Sequence, residues 1–151
     1  MKKWVILAAT LLALLPERGT ELGKLLPVET LLIEKEKERY VVSADTGEQA
    51  EGESLAAAMA GLQRGAPGVL FLDTADYVLV DRTALDCVAE LSDYVRPGTR
   101  IYQTVGKPEL SEIGAFLRTH GPDAPLFRVK KKTEQLPVLH GEGENVYFEG
   151  Q

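Results

Sequence analysis

Three aspartates beside two neighbouring apolar runs are the residues whose types and spacing best suit chemistry in this sequence. Asp73 and Asp76 follow the apolar run at 69–72, and Asp81 follows the run at 77–80. Carboxylates at strand ends can bind a metal ion or serve as general acid and base. Aspartate is also favoured in turns and helix caps, because its side chain bonds nearby backbone amides. Since the spacing completes no catalytic set, we predict that all three aspartates are structural.

The other candidate groups also lack the partners that chemistry would need. The triplet Asp-Thr-Gly at 45–47 is typical of aspartic proteases, but it reads equally as a turn. The acidic loop at 141–144 has too few oxygen ligands at fixed spacing for calcium. His120 and His140 lie in different segments without zinc-ligand spacing, and Cys87 is single. We therefore predict no catalytic residue, no metal site and no cofactor.

The first eighteen residues have the layout of a secretory signal. Lys2 and Lys3 precede an apolar run at 4–15, which Pro16 ends. The run is shorter than the roughly 20 apolar residues that span a bilayer. No Ala-x-Ala cleavage site follows, so an uncleaved membrane anchor or a buried first helix stays open. We predict that residues 1–18 are a signal peptide or membrane anchor and that the remainder is exported.

Composition describes a globular chain with an acidic balance. The 151 residues are 44% hydrophobic and 26% charged, with a net charge of −6. This length predicts one domain, which we place at 19–140. Negative charge of this size repels nucleic acid and anionic lipid headgroups, so no nucleic-acid partner is expected.

Periodicity predicts a protein of the α/β (α+β) class, with three helices packed on a mixed β-sheet after the signal-like segment. A linker or short helix occupies 17–27, and a loop occupies 45–53. Helices are expected after the cap Ser54, after Asp81 or Thr83, and from the Gly-Lys-Pro at 106–108. Strands are expected at 28–33, 40–44, 69–72, 77–80, 100–105, 126–129, 136–139 and 145–148.

The carboxyl-terminal residues 141–151 have two interpretations. Residues 145–150 are similar to a degraded recognition sequence of a protease tag, so they could be the remnant of a tag. They could equally be a native strand, with Val146 and Phe148 on one side of it. As a short aromatic strand, this piece could complete its own sheet or add to the edge of another molecule.

The order of elements resembles the amino-terminal domain of the spore germination receptor C-subunit family. The matching stretches are an Arg-to-Leu segment at 18–22, a strand pair at 28–44 and a Gly-x-Ser-Leu helix at 52–62. Later strands and a helix at 89–96 follow in the same order. The resemblance implies an exported subunit that assembles with other proteins at the outer face of a cytoplasmic or spore inner membrane.

A second resemblance is to the STAS domain of anti-sigma-factor antagonists. Asp73 and Asp81 have the separation of that domain's two aspartates, and the strand at 77–80 lies between them. Thr83 would take the place of the serine that is phosphorylated in the family. This resemblance implies a regulatory switch.

Our prediction from the sequence is a non-enzymatic, exported, membrane-proximal protein that acts by protein–protein assembly. Its partners would be membrane proteins or further copies of the same chain. The alternatives are a STAS-like switch and a secreted hydrolase. In the STAS-like alternative the switch residues would be Asp73, Asp81 and Thr83, and in assembly through the terminal strand the interaction residues would be Val146 and Phe148.

Overall fold

A computed structural model describes residues 24–150, so the predicted signal or anchor segment lies outside the described residues. Seven strands form the main sheet in the order β4-β3-β2-β6-β7-β8-β9, and β1 pairs with β5 in a small separate sheet. The strands are β1 (Leu25–Pro27), β2 (Thr30–Glu36), β3 (Arg39–Ala44), β4 (Gln49–Gly52), β5 (Val69–Phe71), β6 (Tyr77–Asp81), β7 (Arg100–Val105), β8 (Val138–Glu142) and β9 (Asn145–Phe148).

The helical elements lie between these strands. They are α1 (Leu55–Gly65), α2 (Leu110–His120), the single turn α3 (Leu126–Val129), and 3₁₀ helices at Leu72–Thr74, Arg82–Asp93 and Thr133–Gln135. Ser54 caps α1 by accepting a hydrogen bond from the Ala57 amide, as predicted. The mixed sheet with packed helices confirms the predicted α+β class.

The strand directions give the sheet two distinct ends. Strands β2, β6, β7 and β8 are parallel, whereas β3, β4 and β9 run antiparallel to their neighbours. We call the end where the four parallel strands begin the lower end; Glu29, Asp76 and Thr99 lie there. The opposite end is the upper end, where the turn between β2 and β3 and the residue Gly106 lie.

Helices cover the two faces of the sheet unequally. On the first face, α1 lies against β3 and β4, and the Arg82–Asp93 helix lies against β2 and β6. On the second face, α2 packs on the centre of the sheet and reaches Phe148 of β9 through Phe116. Both faces bury apolar side chains in one core that runs from Val28 to Phe148.

Several sequence predictions of local structure are wrong. The run at 69–72 was expected in the main sheet, but β5 pairs with β1 at the periphery and leaves Val69 and Phe71 exposed. A strand was expected at 126–129, but α3 forms after Pro125 because Leu126 and Val129, three residues apart, are both buried on one helical face. The predicted loop at 45–53 contains β4.

Two further differences concern the first strand and the second long helix. Residues 25–27, expected in a linker or short helix, form β1. The helix after Asp81 is present as a 3₁₀ helix, and Asp81 caps it by accepting from the Thr83 amide at 2.8 Å. Further along this helix, the Asp86 carboxylate accepts hydrogen bonds from Tyr40 and Lys35.

Candidate functional site: an open sheet edge

The β8–β9 hairpin ends the sheet and is fixed to the body of the domain at its turn. The turn contains Gly143, whose φ of +58° is a conformation that glycine adopts without strain. The Gly143 amide donates to the Lys107 carbonyl, and the Glu109 amide donates to the Gly143 carbonyl. The hairpin is therefore joined to the start of α2, although the two are distant in sequence.

One side of β9 is buried in an aromatic cluster. The Phe148 ring packs edge-on against Tyr102 with 5.0 Å between centroids, and it stacks on Phe116 at 6.0 Å. Val146, on the same side, packs against the core. Burial also raises the pKa of the Tyr102 phenol to about 12. This cluster makes β9 an ordered strand of the sheet, and its bounds are those predicted for the last strand.

The other side of β9 is open to solvent. Tyr147 is 58% exposed, and its ring stacks on His140 of β8 with 5.0 Å between centroids and 7° between planes. Val105 of β7, which pairs with His140, is 43% exposed. The three side chains border a shallow depression of about 330 Å³. We call Val105, His140 and Tyr147 the aromatic patch.

The outer edge of β9 presents unpaired backbone groups. In an antiparallel pair, successive residues alternate between bonding the neighbouring strand and pointing away from it. The Glu149 amide donates to Val138, so the backbone groups of Val146 and Phe148 point away from β8. Within residues 24–150, β9 has β8 as its only strand neighbour. The edge can therefore accept a further strand.

The predicted aspartates do not form one site. Asp73 is exposed in the Leu72–Thr74 helix at the lower end, whereas Asp81 ends β6 at the upper end. The five-residue strand between them spans on the order of 16 Å. Asp76 forms an ion pair with Arg96 at 2.8 Å. In the described part of the chain, no group of three or more histidine, cysteine or carboxylate side chains could hold a metal ion.

The Thr83 hydroxyl takes part in hydrogen bonds that link two elements of the fold. Its hydroxyl lies 2.6 Å from the Asp81 carboxylate and 3.2 Å from the Lys35 carbonyl, and it accepts from the Lys35 amide at 3.3 Å. These contacts connect the start of the 3₁₀ helix to β2. The STAS-like switch stays a prediction, with Thr83 near Asp81 and far along β6 from Asp73.

Of the five predicted interaction or switch residues, Val146 and Phe148 lie in the open edge strand. Sequence reasoning missed Val105, His140 and Tyr147, which form the exposed side of the same edge. The alternation of side chains in β8 and β9 carries this signal. Neighbouring residues of a strand point to opposite faces of the sheet, so His140 and Tyr147 lie on the face that Leu139 and Phe148 do not occupy. The strand predicted at 100–105 is present, but the strand pattern alone does not indicate that Val105 at its end is exposed.

Comparisons with protein-family models, with curated proteins and with solved structures find no match for this chain. Among residues 24–150, none of the helices combines the length and the apolar character needed to cross a membrane.

Proposed function

We propose that this protein is a non-enzymatic, exported domain held beside a membrane, and that it binds a protein partner by strand addition to β9. The observation that carries the proposal is the coincidence of an unpaired edge with an exposed aromatic patch beside it. Strand addition takes affinity from backbone hydrogen bonds and specificity from the neighbouring side chains. The edge of β9 supplies the backbone hydrogen-bonding groups, and the side chains of Tyr147 and His140 supply the specificity.

The side chains around β9 are of the kinds that favour specific binding of a partner strand. Tyrosine is enriched in protein interfaces because it combines a large apolar ring with a polar hydroxyl. Carboxylates flank the strand at Glu144 and Glu149, and charges at both ends of an edge discourage unspecific pairing. A partner strand with basic residues at matching positions would remove this repulsion.

The signal-like layout of residues 1–18 supports the membrane location. A chain with a basic start and a short apolar run is directed to a membrane and across it. The resemblance in element order to the germination receptor C-subunit family supports the same location. Together with the open edge, these features favour assembly with another protein at the outer face of the membrane.

The sharpest test replaces the outward-pointing amide of β9. Val146→Pro removes an N–H that does not bond β8, so the hairpin should persist while strand addition is blocked. We expect capture of the partner from a membrane extract of the producing cells to fall by about tenfold or more, since each buried acceptor left without a donor costs about 1–3 kcal/mol. In the wild-type complex, hydrogen exchange should show the Val146 amide protected.

The matched control is Gln49→Pro on the opposite edge of the sheet. The Ala44 amide donates to Glu48, so the alternation directs the Gln49 amide away from β3. This variant should capture the partner as the wild type does. Equal capture by Val146→Pro and by the wild type, with both proteins folded by circular dichroism, would contradict strand addition at β9.

A further inference from the structure

Within residues 24–150, the large apolar side chains that are exposed fall into two groups. Val105 and Tyr147 belong to the aromatic patch. The other three lie at the lower end of the sheet: Phe127 is 59% exposed, Val69 is 42% exposed and Phe71 is 40% exposed. Phe71 accepts a hydrogen bond from the Val28 amide before β2, and Phe127 donates its amide to Pro97 before β7. The lower end therefore has exposed apolar groups that the proposed partner edge does not use.

Basic side chains are more numerous at the lower end than at the upper end. Carboxylates are frequent at the upper end, at the ends of β2, β4, β6 and β8 and in the segments that follow these strands and β7: Glu34, Glu36, Glu38, Glu51, Glu53, Asp81, Asp86, Glu109, Glu142 and Glu144. The lower end holds the densest basic tract of the chain, Arg128 and Lys130–Lys132, directly after the exposed Phe127. The lower end also carries carboxylates, among them Glu29, Asp45, Asp73, Asp76, Asp123 and Glu134, so the repulsion of anionic lipid predicted from the net charge of −6 is offset there only around the basic tract.

Ion pairs at the lower end leave the lysine tract available. Arg96 pairs with Asp76, Arg118 with Glu29, and Arg128 with Asp123. In the part of the chain that the structure describes, the ion pairs involve none of the three lysines at 130–132. Lys131 and Lys132 are exposed.

The chain also enters the domain at this end. Strand β1 begins at Leu25 and pairs with β5, so it lies beside Val69 and Phe71. Six residues, 19–24, separate β1 from the predicted signal or anchor segment at 1–18. A segment of six residues spans at most about 20 Å, so an anchor in the bilayer would keep the lower end near the headgroups.

We propose that the lower end of the sheet rests on a membrane surface rich in anionic phospholipid. Phe71 and Phe127 would enter the interfacial region, and Lys131 and Lys132 would lie over the headgroups. Each lysine near such a surface contributes about 1 kcal/mol, and aromatic side chains add their apolar area. This inference rests on the membrane location in the proposed function, and it is separate from the binding at β9.

The orientation has a consequence for the partner. A second copy that added to β9 in antiparallel fashion would be turned end for end about the two-fold axis. Its lower end would then point away from the membrane. A domain that rests on lipid through its lower end therefore binds a different protein, not a second copy, at β9. Strand β9 lies at the side of the sheet, where a neighbouring membrane protein can reach it.

The test places an environment-sensitive fluorophore on the full-length chain in lipid vesicles. Gly98→Cys provides a label site at the lower end, since a side chain there meets open space. Glu53→Cys provides the matched site at the upper end, after β4. The native Cys87 is fully buried, and burial raises its thiol pKa to about 12, so it should not compete for the label.

In vesicles of phosphatidylcholine with phosphatidylglycerol, we expect lipid-borne quenchers to quench the label at position 98 and to spare the label at position 53. Adding Lys131→Gln and Lys132→Gln should lower the ratio of docked to undocked domains by about thirtyfold, the equivalent of roughly 2 kcal/mol. Lys37→Gln with Arg82→Gln removes the same charge at the upper end and should leave the quenching unchanged.

Three other results would each overturn the inference. Equal quenching at positions 98 and 53 in a chain that floats with the vesicles would show that the lower end does not face the lipid, while leaving the membrane location intact. If the label at position 98 were quenched as strongly in pure phosphatidylcholine vesicles as in vesicles with phosphatidylglycerol, the domain would not require anionic lipid to dock. A full-length chain that fails to float with any vesicle would contradict the membrane location itself, and this surface with it.

Discussion

At the scale of single residues, three buried threonines of the core differ in how their hydroxyls are satisfied. Thr30, Thr99 and Thr104 are each about 1% exposed or less. The Thr99 hydroxyl donates to the Ala75 carbonyl at 2.8 Å. The hydroxyls of Thr30 and Thr104 have no hydrogen-bond partner within the described residues. A buried polar group without a partner costs stability, because its hydrogen bond to water is lost on folding.

Thr104→Val should therefore stabilise the domain. The substitution replaces an unpaired hydroxyl by a methyl group of similar size, and we expect the free energy of unfolding to rise by about 1 kcal/mol. Thr99→Val is the matched control, since it removes a donor from a buried carbonyl and should lower the same quantity by about 1–3 kcal/mol. Urea denaturation measures both, and a destabilised Thr104→Val variant would show that its hydroxyl is satisfied in solution.

At the scale of elements, the packing of α1 on the edge strand β4 depends on a close approach at Gly52. A Cβ atom at this position would lie 2.4 Å from the Ala58 nitrogen and 2.7 Å from the Ala57 carbonyl carbon. Both atoms belong to the helix backbone, which cannot move without shifting α1. The Gly-x-Ser-Leu stretch therefore combines the end of β4, the helix cap Ser54 and the contact between the two elements.

Gly52→Ala should lower the free energy of unfolding by about 1–3 kcal/mol, because the added methyl group overpacks the contact with α1. The control is Gly65→Ala at the last residue of α1, where a Cβ would meet nothing within 4 Å. Alanine favours helix, so the control should be neutral or more stable by up to about 1 kcal/mol. Thermal unfolding of the two variants distinguishes the contact from a general effect of losing glycine, and equal stability would contradict the close approach.

At the scale of the whole molecule, one core joins all parts of the described chain. Its first buried residue is Val28 and its last is Phe148, so the terminal hairpin belongs to the same unit as β2. Strand β8 continues through residue 140, the boundary at which the sequence suggested that the domain ends. Such a unit is expected to unfold in a single cooperative transition.

A chain that begins at residue 19 should stay soluble and unfold cooperatively, because the core starts beyond the predicted signal segment. Denaturant unfolding followed by circular dichroism and by fluorescence should give coincident transitions. A chain that begins at residue 28 is the control; it lacks β1 and should be less stable, since β5 loses its strand neighbour and Leu26 leaves the core. Aggregation of the chain that begins at 19 would show that residues 1–18 belong to the fold.

The sequence by itself determined the elements whose signal is local. The cap at Ser54, the apolar stripe of α1 and the alternation at 145–148 each arise from neighbouring residues, so the α+β class and the edge strand with Val146 and Phe148 could be predicted. The cap at Asp81 was predicted for the same reason. These features depend on backbone geometry within a few residues.

Tertiary structure decided what depends on neighbours in space. The apolar runs 69–72 and 77–80 look alike in sequence, yet only the second is central, because β2 and β7 pair with β6 while β5 is left to pair with β1. Asp73 and Asp81 follow similar runs, but they lie at opposite ends of the main sheet. The reason is that β5, which precedes Asp73, lies outside the main sheet, whereas β6, which separates the two aspartates, crosses it. The exposure of Val105, His140 and Tyr147 likewise follows from where α1 and the Arg82–Asp93 helix stop covering the first face, since side-chain burial is set by packing between distant segments.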